Sequence, residues 1–134
     1  MSGVVEIRAA LETALAAMSP ALDTAFENVD FEPGVGTPYQ AVHILFAQPD
    51  NSEFGSRHQE NGYMQVTLKY PTSAGTLAIA ARAELIRTAF LRGNSFASGG
   101  VTVLITHTPE IMAGTVDGVY FTMPVKIRFN VQLS

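Results

Sequence analysis

From Phe121 to Leu133 the chain alternates without a break. Phe121, Met123, Val125, Ile127, Phe129, Val131 and Leu133 are apolar, and Thr122, Pro124, Lys126, Arg128, Asn130 and Gln132 stand between them. Successive side chains of a strand point to opposite faces, so this pattern specifies one long strand with an apolar face and a polar face. Such a strand cannot stand alone. It needs neighbours for its backbone groups and a second layer over its apolar side.

The rest of the sequence supplies both. Ile7, Leu11, Leu15 and Met18, with Val4 one turn earlier, recur at helical spacing and predict a helix over about residues 4 to 18, ended by Pro20. Glu6 falls in its first turn, where the helix dipole favours a negative charge. Ile79, Ala83, Ile86 and Phe90 form the stripe of a second helix, entered through Pro71-Thr72-Ser73-Ala74-Gly75 and left at Arg92-Gly93. Short strands are expected at Thr24 to Val29, Tyr39 to Ala47, Gly62 to Tyr70 and Val101 to Thr106. Pro- and Gly-dense residues 31–38 read as a connection, and Gln48 to Asn61 as a long polar loop, a length that usually marks function. Strands that follow one another without crossover helices pair antiparallel. The expected fold is therefore α+β, a single domain over 1–134. Its two layers are a mostly antiparallel sheet of about five strands and two helices packed on one face.

Composition narrows the function classes. Of 134 residues, 47% are hydrophobic and 15% charged, which excludes a disordered chain. Eight basic residues against twelve acidic ones give a net charge of −4, without the basic excess that a duplex-DNA binder concentrates on one face. The absence of cysteine removes disulfides and thiolate chemistry. Glu6, Arg8 and Glu12 interrupt the Ala- and Leu-rich start, and no stretch has the apolar length of a signal peptide or membrane span, so a soluble protein is expected.

No pattern of catalysis stands out. His43, His58 and His107 lack the spacing of a local metal motif. Asp50, Ser52, Ser56 and His58 are triad residue types, but they lie in a polar, glycine-containing stretch without the scaffold a triad requires. Gly34-Val35-Gly36 and Gly99-Gly100 match no phosphate-binding loop. The acid pairs Asp30 with Glu32 and Glu53 with Glu60 read as solvated surface. Arg82, Arg87 and Arg92 advance by about 140° per step and make no stripe. Lys126 and Arg128 do share a strand face, with Asn130 and Gln132. No catalytic, cofactor or metal residues are expected.

Several segments, in order, resemble the tail terminator-like proteins of long-tailed phages and prophages. They are Ile7-Arg8-Ala9-Ala10-Leu11-Glu12, Phe26-Glu27-Asn28, Phe31-x-Pro33 with Pro38-Tyr39, and Gly62-Tyr63-Met64-Gln65-Val66. Tyr70-Pro71, Gly75 and Tyr120-x-x-x-Pro124-Val125-x-Ile127 complete the succession. The resemblance implies a structural protein, without enzymatic activity or cofactor, of the virion tail, assembled in the host cytoplasm. It would form a hexameric ring that caps the head-proximal end of the tail tube, stops its polymerisation and meets the head connector. Its partners would then be itself, the major tail tube protein and the head–tail connector protein, with no membrane and with DNA only passing through the lumen. The candidate contact residues are Asp50, Glu53, Phe54, Arg57, His58 and Glu60 in the long loop, and Lys126, Arg128, Asn130 and Gln132 on the last strand. The alternatives are another neck or head–tail joining protein, or a small-ligand-binding domain or enzyme with a site where helices meet sheet.

Overall fold

A computed structural model describes residues 3–27, 29, 31–32, 36–47, 58–72 and 75–133. In chain order the elements are α1 (Gly3–Ala16), β1 (Thr24–Ala25), β2 (Tyr39–Phe46), β3 (His58–Pro71) and α2 (Leu77–Ala89). Then come β4 (Ser95–Ser98), β5 (Val101–Ile105), β6 (Glu110–Ile111), β7 (Thr115–Asp117) and β8 (Tyr120–Leu133). The architecture is α+β, with two helices as expected. The sheet, however, has eight strands rather than about five, and it is mixed: β1 runs parallel to β2, and every other pairing is antiparallel.

The alternating segment is the spine. β8 pairs with β3 over the whole length of both, from His58 opposite Leu133 to Pro71 opposite Tyr120. Its other edge is shared in succession by β5 at Phe129 and Asn130, β6 at Val125 and Lys126, and β7 from Tyr120 to Thr122. Pro124 sits in the gap between β6 and β7. Its carbonyl accepts from the Met112 N–H, so its missing donor faces that gap and costs no bond to β3.

Register carries the apolar face across the sheet. Val42 pairs with Val66 and Val66 with Val125, while Ile44 pairs with Met64 and Met64 with Ile127. Val101, Val103 and Ile105 continue that face on β5. Ile7, Ala10, Leu11 and Leu15 of α1 and Ile79, Ala83 and Ile86 of α2 cover it, and all belong to one core cluster with Phe90. Val4 does not extend the α1 stripe, being 41% exposed. Phe46 and Phe129 meet edge to face, ring centroids 5.9 Å apart, on either side of Gly62. A Cβ on Gly62 would lie 2.1 Å from the Leu45 carbonyl oxygen, so this row tolerates nothing larger than glycine.

Four expectations are corrected. The strand at Thr24 stops at Ala25, because the Glu27 carboxylate takes over the next β2 donor, accepting from the Ile44 N–H at 2.7 Å. The loop expected over Gln48 to Asn61 gives up its end to β3, since pairing with β8 begins at His58. The glycine- and serine-containing turn after α2 includes a strand, β4, which joins β5 through Gly99 and Gly100 at positive φ. Helix α2 ends at Ala89, before Arg92-Gly93. The Phe90 N–H bonds the Ile86 carbonyl, and the Asn94 side-chain amide bonds the Ala89 carbonyl at 3.2 Å.

Candidate docking face

The strand alternation that buries one face presents the other. Across β2, β3 and β8 the outward rows are Leu45–Tyr63–Arg128 and His43–Gln65–Lys126. Beyond the end of β2, Asn61 stands opposite Asn130 and Gln59 opposite Gln132. Asn130 donates its amide to Asn61 Oδ1 at 2.6 Å and to Gln59 Oε1 at 3.1 Å, which locks the polar end of the ribbon. Leu45, 47% exposed, and Leu104, 44% exposed and opposite Asn130 on β5, flank this polar strip with apolar surface.

The strip holds a cavity of about 360 Å³. Asn61 and Tyr63 wall one side, Thr106 and His107 the other, and Lys126 and Arg128 lie on the strand between them. The Lys126 ammonium sits 4.2 Å from the centre of the Tyr63 ring, a cation–π contact that holds it over β3. Thr106 is fixed by its N–H to the Arg128 carbonyl, and its Oγ1 lies 2.8 Å from His107 Nδ1. Among the described residues no carboxylate lines the cavity. Glu110 is the cross-strand neighbour of Lys126 on β6, but the ammonium leans the other way. Such a site can receive an oxyanion from outside.

At the opposite end of the same face, Phe31, Tyr39 and Tyr120 form an aromatic row, with centroids 5.1 Å and 5.3 Å apart. A second groove, of about 340 Å³, runs between α1 and the segment after β1, lined by Glu12, Thr13, Ala16, Phe26 and Val29. Burial there raises the Glu12 pKa, partly offset by Arg8.

The expected contact residues divide. Lys126, Arg128 and Asn130 come together on this face. Gln132 stands two residues further along β8, opposite Gln59. Glu60 belongs to strand β3, not to a loop; it is 9% exposed and opposite Val131. His58 opens the same strand. Asp50, Glu53, Phe54 and Arg57 lie outside the described residues, as does most of the long loop. Tyr63, Leu45, Thr106 and His107 were not singled out by sequence as contact residues. Leu45 and Tyr63 did leave a signal, since each stands in the opposite phase to the apolar residues of its strand, Val42, Ile44 and Phe46 in one and Met64, Val66 and Leu68 in the other.

Among the described residues no group of three or more His, Cys, Asp or Glu side chains could hold a metal ion. None of the described helices is long and apolar enough to cross a membrane. Arg82 and Arg87 diverge on α2, the first buried and the second bonding the Pro109 carbonyl, whereas Arg92, expected on the same helix, lies beyond its end and is exposed.

A family model described as phage tail terminator protein matches residues 6–129. Two solved structures have the same fold. One, whose name describes no function, is 25% identical with a TM-score of 0.81 and is aligned over 100% of this chain and 98% of its own. The other comes from the virion of a native gene transfer agent particle, is 14% identical with a TM-score of 0.66, and is aligned over 98% of each chain. No curated protein matches the sequence.

Proposed function

The chain belongs to the phage tail terminator protein family, which gives it a structural role in a phage tail, and we propose that it is the subunit that ends the tail. In this reading it caps the head-proximal end of the tail tube as a ring, the closed form of a head-to-tail contact, stops addition of tube protein and offers its other side to the head connector. The family match over residues 6–129 carries the proposal. The likeness to a chain of a gene transfer agent virion supports the fold of such a component.

The site fits an assembly role better than chemistry. The outward sheet face offers fixed amides, two cations and flanking leucines, the ingredients of a polar contact with apolar margins. Two cations are also too few to hold a DNA backbone passing through a lumen, since retention grows with each phosphate neutralised. Residues 50–57 of the long polar segment are the second proposed contact, towards the tube or a neighbouring subunit.

Electron microscopy of tails made with and without this gene tests the reading. Over-long, headless tails in its absence are the expected result. Tails of normal length that fail to join heads would move the protein to the connector side, and normal virions would overturn the structural role.

A further inference from the structure

The cavity on the outward sheet face is built to take negative charge, and the chain itself carries a matching segment. Of the basic residues described, Arg8 pairs with Glu27 at 2.8 Å, Lys69 with Asp117 at 3.6 Å and Arg87 with Glu84 at 3.7 Å. Arg82 is buried. Lys126 and Arg128 are the adjacent cations left without a carboxylate among the described residues. They are also the only basic pair at i, i+2 in the sequence. On a strand that spacing sets the two side chains on one face about 6.6–6.8 Å apart.

The sequence holds a single pair of acidic residues at the same spacing, Asp30 and Glu32. Glu32 is exposed, and Phe31 beside it packs on Tyr39 at the start of β2. Tyr39 is in register with Lys69 and, through it, with Thr122. The Lys126 row thus lies four residues along β8, roughly 13 Å, and two strands across, about 10 Å. That separation keeps Glu32 away from the cations of its own chain.

We propose that the Lys126–Arg128 cavity binds the Asp30–Glu32 segment of a second copy of this chain. The match is one of sign and of sequence interval, two carboxylates two residues apart in the chain against two cations two residues apart on β8. Leu45 and Leu104 at the cavity margins would bury apolar surface around the charges. Glu32 lies by the β1–β2 edge and the cations on the β8–β5 half of the sheet, so the contact is heterologous and propagates from copy to copy. It therefore deepens the assembly reading above and rests on it. Duplex DNA is the weaker occupant, because the patch has two cations rather than a track.

Zero-length carbodiimide coupling joins a lysine amine to a carboxylate only when they touch. We would apply it to an equimolar mixture of ¹⁴N- and ¹⁵N-labelled full-length protein and read the products by peptide mass spectrometry. The expected product links the Lys126 peptide of one label to the Asp30–Glu32 peptide of the other. It should fall several-fold in about 0.5 M salt, where screening shortens to a few ångströms. The double variant K126E/R128E should lose that product, as should D30K/E32K. Mixing these two variants should create a reversed link, between position 30 or 32 of one chain and position 126 or 128 of the other. A link confined to one label, coupling of Lys126 to other carboxylates, or no link at all would overturn the proposal. So would saturable binding of duplex DNA at about 0.15 M salt that is lost in K126E/R128E. Because the readout is on purified protein, its failure leaves the tail phenotype untouched, and normal tails in the gene deletion would leave the link standing.

Discussion

Glu27 shows how one side chain can replace a stretch of strand. Its Oε1 accepts from both the Arg8 guanidinium and the Ile44 N–H, so the carboxylate continues the β1–β2 pairing after β1 has ended. Burial pushes its pKa up, but the Arg8 and Ile44 bonds outweigh that and leave it below the usual carboxylate range. A depressed folded-state pKa contributes stability above the ordinary carboxylate value and loses it as pH falls through the depressed one. Glu27→Gln should therefore be less stable at neutral pH and show a shallower loss in acid, as read by urea titration across pH. Glu27→Ala, which leaves the Ile44 donor unpaired, should cost about 1–3 kcal/mol. Arg82 is the opposite case. One guanidinium nitrogen donates to the Pro20 carbonyl, while Nε and Nη2 are buried without partners among the described residues, and desolvation lowers its pKa. Replacing such a charge with an apolar side chain of similar volume removes the desolvation cost. Arg82→Met should raise the urea midpoint, by roughly 1 kcal/mol of stability; an equal drop would mean that the Pro20 bond outweighs the buried charge.

Among the elements, β8 was legible and several of its neighbours were not. Its alternation extends beyond any turn signal, and the stripes of α1 and α2 recur at helical spacing, so spine and cover could be read directly. β6 and β7 are two and three residues long, too short for a period to show, and β1 owes its early end to a side chain. β4 is only four residues with small polar ends. The docking face divides the same way. Lys126 and Arg128 followed from the phase of β8, whereas Thr106 and His107 join them only because β5 ends against Arg128. Proline tests the edge logic of β8. Pro124→Ala should change stability by less than about 0.5 kcal/mol, because no bond depends on a donor at that position. Val125→Pro, one residue on, removes a donor turned toward β3 and should cost at least about 1–3 kcal/mol in the same denaturation assay.

At the scale of the whole molecule, the two layers divide the labour. The helices are spent on one side of the sheet and its core, so they leave the outward face, the one proposed above for contact, uncovered. β8 links the two roles: its odd residues hold the core and its even residues carry the cations. The same strand also governs when the chain can fold during synthesis. β3 waits for it, and β5, β6 and β7 all find their places along its far edge. A nascent chain that has emerged only as far as residue 119 holds both helices' sequences and most of the sheet, yet has no strand to join them. Closing loops of that size is slow compared with local helix formation. A 1–119 fragment should accordingly show no protected β3 amides in hydrogen exchange, and should regain them when a peptide spanning 120–133 is added. The growing polypeptide would then carry its apolar strands uncovered until residues 120–133 have emerged from the ribosome, a window in which chaperone capture competes with folding.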